Sequence, residues 1–394
     1  MPPFLRCGFL LFLGAVTGCA NSGGAEPPPP IITPVVEGGT RLATGTALYP
    51  RVIRLEHNGA ANGRLLLSVV TFPGGAYGEG HIFESTDDGG TWSASPIGVV
   101  RDTSAHGLCC STLYELPIAA GSLPAGTLLW AASVGQDQSD RRMALRVWKS
   151  ADVGHTWTYL SSCAIAQNNG GLWEPEFSVT ADGRLLCHYS DETLQPTYSQ
   201  VLARVESTDG GATWGTRTLT VASTNPAHRP GMPIVRRMTD GVYVMTYEIC
   251  GVTGANCATY IRSSPDGATW GDPTSLGNRI VSTAGHYFAH APVVAVRPDG
   301  VTGGLLLVGQ LLQNSLEQQV TGSGGTLMVT SGHGDDQWVE LAAPLKVTTV
   351  YDNYCPNYSS ALLPSTDGTR VLMVATAYVV TMCGAFYGSG AAHP

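Results

Sequence analysis

The residues best suited to chemistry lie in Trp173-Glu174-Pro175-Glu176-Phe177, two carboxylates inside an apolar frame. Alternation along a strand puts Glu174 and Glu176 on one face, with Trp173 and Phe177 on the other. An unpaired buried carboxylate costs several kcal/mol, so a purely structural role requires a cation nearby, and Arg51 is a candidate. A third carboxylate, Glu248, ends the alternating run Val242-Tyr243-Val244-Met245-Thr246-Tyr247-Glu248. Two carboxyl groups converging from neighbouring segments can cleave a glycosidic bond. One protonates the leaving oxygen, and the other attacks the anomeric carbon or activates water.

Other polar side chains stand at comparable places and suit sugar hydroxyls: Arg51, Arg229 (in His228-Arg229-Pro230-Gly231), Asp191 (in Ser190-Asp191-Glu192), His290 and Tyr358. No Cys-x-x-Cys or His-x-x-x-His spacing occurs, so no metal site is expected. Acid–base glycoside cleavage needs no cofactor, and none is expected. The chain of 394 residues carries a net charge of −9, and Lys149 and Lys346 are its only lysines. Such a chain has no electrostatic footprint for a phosphate backbone, so nucleic acid is excluded as a partner and a carbohydrate is expected.

What must position these residues is a repeat. A strand–turn–strand unit recurs with second strands starting near Leu65, Leu128, Leu185, Val242, Leu305 and Val371, at intervals of 63, 57, 57, 63 and 66 residues. Asp-Gly and Asn-Gly supply the positive φ of a tight hairpin. A second signal, Ser-x-Asp-x-Gly-x-Thr-Trp, is complete at 85–92, 150–157 and 207–214. At 263–270 Pro265 stands where the Asp belongs, and at 331–338 only Ser and Trp remain. Two strands, a third, this turn and a fourth make one blade, so the sequence predicts an all-β, six-bladed β-propeller over 40–394. Its ring is closed by a strand from 33–46 or from 369–386. In a propeller the innermost strands face a central funnel. Aligned first strands carry Pro50, Pro175, Pro233 and Pro292, preceded by Tyr49, Glu174, Met232 and Ala291.

The first residues read as processing signals. Arg6 precedes a short apolar run, too short to span a bilayer, so 1–18 is expected to be a signal peptide. Val16-Thr17-Gly18-Cys19 resembles a bacterial lipobox, which implies lipidation at Cys19. The segment 19–39 then reads as a Gly/Pro-rich tether. An exported cell-envelope lipoprotein or secreted protein follows, touching a membrane only through its lipid anchor, and a monomer. Export permits disulfides: Cys250–Cys257 across a Gly-rich loop, Cys355–Cys383, and Cys109 and Cys110 each with a cysteine elsewhere such as Cys163.

The Ser-x-Asp-x-Gly-x-Thr-Trp turn resembles the Asp-box of sialidases and related hydrolases, in which Ser and Asp hold turn amides and Trp packs between blades. The stretches YPRVIRL, LWEPEF, DGRLLCHYSDE, RPGMPIV and YVMTYEIC resemble exo-arabinanase-type glycoside hydrolases over most of 45–310. These are six-bladed propellers that release arabinobiose from arabinan ends with retention. The resemblance implies Glu174 as nucleophile and Glu248 as acid/base, with Glu176 a rival for the first role. A sialidase would instead need three Arg on the substrate carboxylate; Arg51 stands in a rearranged element, Arg229 is a second, and Arg279 or Arg297 a third. A non-catalytic glycan-binding lipoprotein is the remaining alternative.

Overall fold

The computed structural model describes residues 35–393 apart from Thr44 and Ala105. The signal segment, Cys19 and the tether as far as residue 34 lie outside the described residues. Six sheets of antiparallel strands follow one another along the chain, each leading with its innermost strand. Blade 1 starts with Leu48–Arg54, blade 2 with Cys109–Glu115, blade 3 with Leu172–Val179, blade 4 with Arg229–Arg237, blade 5 with Val293–Arg297 and blade 6 with Ala361–Pro364. Blade 4 is lengthened by two short strands, Tyr287–Ala289 and Leu311–Gln313.

The ring closes with a strand from the N-terminal side. Thr40–Arg41 adds to the edge of blade 6 by pairing with Phe386 and Tyr387. Closure by a distant segment removes a free edge strand, a hazard in any sheet. Just before it, Val36–Glu37 pairs with Lys346–Val347, so the last residues of the expected tether take part in the body.

The second strand of each blade is sandwiched between neighbouring blades, which explains why its apolar residues run without alternation. Leu65, Leu66 and Leu67 are all 0% exposed. Trp130, Phe177 and Tyr247 fill the space between sheets. The hairpin turns need the left-handed backbone at glycine, as at Gly183 (φ 83°) and Gly241 (φ 93°).

The Ser-x-Asp turns are local locks. In the first, Ser85 Oγ donates to Asp87 Oδ1 (2.8 Å) and accepts from Gly89 N–H (2.9 Å), while Thr91 donates from its N–H and its hydroxyl to Asp87. Thr91 and Ser85 thereby hold the Asp87 carboxyl down at about 2. The same bonds recur at Ser150/Asp152 and Ser207/Asp209. The fourth copy keeps its Asp after all. The turn is one residue shorter, so Ser264 and Asp266 take the two roles and Thr269 donates to Asp266; Pro265 is simply passed over.

Among the described residues four disulfides are formed: Cys109–Cys110, Cys163–Cys187, Cys250–Cys257 and Cys355–Cys383. The last two are as the sequence implied. Cys109 and Cys110, however, join each other rather than a distant cysteine, because the strand bulges at this point. Cys163 instead ties the outer strand of blade 2 to Cys187 in blade 3.

The innermost strands share a feature that alternation does not foresee. Each carries, or is entered through, a residue in the left-handed region: Tyr49 (φ 52°), Cys110 (58°), Glu174 (52°), Met232 (59°), Ala291 (51°) and Ser359 (53°). In blades 1 to 4 the pairing register slips there, between Leu48/Arg51, Cys109/Thr112, Trp173/Glu176 and Gly231/Ile234. These are β-bulges, and a bulge re-aims one side chain relative to its neighbours. The re-aimed Tyr49, Met232 and Ala291 form a small buried cluster, with Leu48, Cys110 and Tyr358 packed against it.

Candidate active site

Above this cluster opens a hollow of about 660 Å³ lined by residues of blades 1, 2, 3, 4 and 6, among them Tyr49, Trp173, Glu174, Glu192, Arg229, Met232, Glu248 and Tyr358. A second cavity, about 390 Å³, is lined by the far ends of the same innermost strands, including Val52, Leu113, Phe177, Val235, Ala295 and Leu362. On the innermost strands of blades 1 and 4, Tyr49 and Met232 stand between these two sets of residues and, with Ala291, form a buried floor between the two cavities.

Glu174 enters the pocket from the bulge of blade 3. Ser190 Oγ donates to its Oε2 (2.6 Å), and the Met232 N–H approaches the same oxygen (3.3 Å). Burial pushes its carboxyl up to about 7; the Ser190 and Met232 hydrogen bonds and Arg51 pull it back, and Glu192 adds to the rise. Glu248 arrives from the second strand of blade 4, and its Oε2 accepts the Ala291 N–H of blade 5 (2.8 Å). Burial lifts it further, to about 8, opposed by the Ala291 bond and reinforced by the charges of Glu174 and Asp352. Two half-buried carboxyls thus share one pocket and differ in proton affinity, the usual arrangement for dividing acid and base roles. Tyr358 stands over Met232, its OH 3.4 Å from Sδ. Burial, with Glu248 and Glu174 nearby, raises its phenol well above the ordinary value, so it remains a hydrogen-bond donor.

Arg229 also reaches the pocket. It donates to Glu192 Oε1 (2.5 Å), Gln200 Oε1 (2.6 Å) and Ser199 Oγ (3.0 Å). Glu192 Oε2 accepts the Gly171 N–H (2.9 Å). Arg141 lies over the Trp173 ring, 5.0 Å from its centroid.

Four expected residues are elsewhere. Glu176 does not share a face with Glu174, because the bulge between them breaks the alternation. It lines the second cavity instead, 2% exposed, bonded to Arg236 (2.5 Å) and Thr112 (2.9 Å). Its cation is Arg236, not Arg51. Arg51 lies below the floor, donating to Pro50 O, Ser359 O and Ser359 Oγ, with its guanidinium 4.4 Å from the centre of the Tyr49 ring. Asp191 faces away and pairs with Arg217 (2.8 Å). Its neighbours Ser190 and Glu192 are the ones that serve the pocket, as period-two alternation requires once the strand is placed.

His290 does not line the pocket. It sits beside the Cys250–Cys257 disulfide, its ring nitrogen and the two sulfurs within 4.8 Å of one another, and 3.8 Å from Asp352. Both sulfurs are tied to each other and offer no thiolate to a metal. Trp173, expected on the face opposite Glu174, lines the pocket with it, as does Gln200, which the sequence does not single out. Ser190 and Glu192 come from the run Ser190-Asp191-Glu192, with the parity opposite to that of Asp191.

Arg229 is the one arginine among the described residues lining the pocket. Arg297 is held by Asp299 and the Ala392 carbonyl, and Arg279 lies over Tyr287. A three-arginine clamp is not assembled.

No family model and no curated protein matches the chain. Solved structures do. An α-L-arabinanase from Penicillium chrysogenum complexed with arabinobiose superposes with TM-score 0.72 at 24% identity, covering 90% of this chain and 98% of that one. An α-L-arabinofuranosidase from Fusarium graminearum with an iminosugar inhibitor gives 0.71 at 23%, covering 90% and 97%. The NanB sialidase from Streptococcus pneumoniae gives 0.55 at 12%, covering 89% and 69%. The protein shares its six-bladed propeller with these glycosidases.

Proposed function

We propose that the protein is an exo-acting, retaining glycoside hydrolase that removes terminal units from a neutral, arabinan-like glycan. The observation that carries this reading is geometric: Glu174 from blade 3 and Glu248 from blade 4 enter one pocket, each with its carboxyl raised by burial. Near neutral pH Glu174 is the readier to ionise and Glu248 the readier to keep its proton. Glu248 protonates the glycosidic oxygen while Glu174 Oε1, the oxygen not engaged by Ser190, attacks the anomeric carbon. The aglycone leaves as an alcohol and a glycosyl ester forms on Glu174. Glu248, now ionised, takes a proton from water, which displaces Glu174 and regenerates both groups.

The buried floor supports exo action, since a chain end can enter but a chain cannot pass through. The lone Arg229, already shared with Glu192 and Gln200, supports a substrate without a carboxylate. The arabinan-like choice rests on the likeness in fold to the arabinobiose-binding arabinanase and on the sequence resemblance. Chromogenic α-L-arabinofuranosides, debranched arabinan and a sialoside, with product sizing and anomer detection by NMR, test it. Arabinobiose released with retained configuration is expected; turnover of the sialoside alone would overturn it.

The four disulfides are consistent with export. We further propose the order signal peptide 1–18, a tether lipidated at Cys19 that ends before the strand Val36–Glu37, and the propeller beyond it, as a monomer. Mass spectrometry of the mature N-terminus tests the first part and light scattering the last.

A further inference from the structure

The wall of the pocket on blades 1 and 2 takes no part in the acid–base step. Leu48, Val70, Phe72 and Leu108 line it, and at its base lies the Cys109–Cys110 disulfide. Cys110 is the left-handed residue of blade 2, so it occupies in its blade the position that Glu174 occupies in the next one round the axis. It packs against the cluster of Tyr49, Met232 and Ala291. Both cysteines are half-buried and both face the pocket.

Adjacent cysteines joined in this way close a small ring with the peptide bond between them, which removes the rotational freedom of both side chains. Two separate thiols would be mobile and weakly polar. The joined pair is a fixed, polarizable, apolar surface. A sugar ring has C–H faces that need such a surface, and a rigid one adds no ordering cost on binding. The other disulfides that touch the pocket, through Cys250 and Cys383, join residues further apart in sequence, so neither encloses a single peptide bond in this way.

We propose that the Cys109–Cys110 disulfide is a platform that carries the apolar face of the sugar bound beside Glu174, and so helps to set which sugar face is presented to the carboxylates. This rests on the glycosidase reading. Two measurements test it. In the first, Cys109→Ala/Cys110→Ala is assayed on debranched arabinan. KM is expected to rise about tenfold with kcat within about twofold of wild type, the pattern of lost uniform binding. In the second, the wild-type protein is treated with a phosphine reductant with and without saturating arabinobiose, and each disulfide is followed by peptide mass mapping. Arabinobiose is expected to slow reduction of Cys109–Cys110 about fivefold or more by occupying its exposed face, leaving Cys163–Cys187 unaffected. This second measurement does not depend on the variant folding. A wild type that hydrolyses arabinan while neither KM nor protection responds overturns the platform alone. A wild type inert on every glycan of the panel overturns the glycosidase reading and the platform with it.

Discussion

The backbone N–H of Ala291 in blade 5 donates to Oε2 of Glu248 in blade 4, at 2.8 Å. The bond leaves Oε1 of Glu248 as the oxygen available to carry a proton toward a substrate. Glu248→Gln keeps the shape and the bond but removes that proton. Hydrolysis of arabinan is expected to fall by about 10²–10⁴-fold, the usual worth of general acid catalysis. Substrates with a good leaving group, such as dinitrophenyl arabinofuranoside, should lose much less in the bond-cleaving step. An equal loss on both would remove Glu248 as the acid.

The pH profile of kcat/KM follows from the two carboxyls. Activity should rise as Glu174 ionises around 7 and fall as Glu248 loses its proton around 8, giving a narrow bell. In Glu248→Gln the alkaline limb should disappear. A profile flat from pH 5 to 9 in the wild type would contradict the assignment.

The same two groups govern stability. Both have folded-state proton affinities above the ordinary carboxylate value. The unfolded chain therefore releases these protons first as pH rises, and the folded state loses ground between about 4.5 and 8. Thermal unfolding should show Tm decreasing across this window, less steeply in Glu248→Gln.

Ser190→Ala removes the hydroxyl that donates to Glu174 at 2.6 Å. Because that bond favours the ionised form, the acid limb should move to higher pH. Optimal kcat/KM should drop about tenfold, from the loss of one charge-assisted hydrogen bond. An unmoved limb would show that Ser190 does not act through Glu174.

Glu176 is distinguished from Glu174 by what its loss damages. Glu176→Ala takes the acceptor from buried Thr112 and from the part-exposed Arg236 and is expected to cost about 1–2 kcal/mol, the range for a lost hydrogen bond that leaves a buried group unsatisfied. Urea unfolding should report that loss, while the folded fraction keeps near-normal kcat. The opposite outcome, full stability with no activity, would restore Glu176 as a catalytic rival.

Repetition made the architecture legible in the sequence. Hairpins and Ser-x-Asp turns are local, specified by residue types a few positions apart, so six units at near-constant spacing already fix a six-bladed propeller. Glu174 and Glu248 were legible as well, since an acidic residue in a buried strand demands an explanation. Alternation failed at the bulges. One left-handed residue in the strand breaks the two-residue period, and whether Glu174 or Glu176 reaches the pocket is then decided by how blade 3 meets its neighbours. The same is true of Asp191, which alternation places relative to Glu192 but cannot aim, and of Cys109, whose adjacent partner became available only because the chain bulges there. Local sequence determined the units of this protein. The packing of the blades around one axis decided which side chains those units turn toward each other.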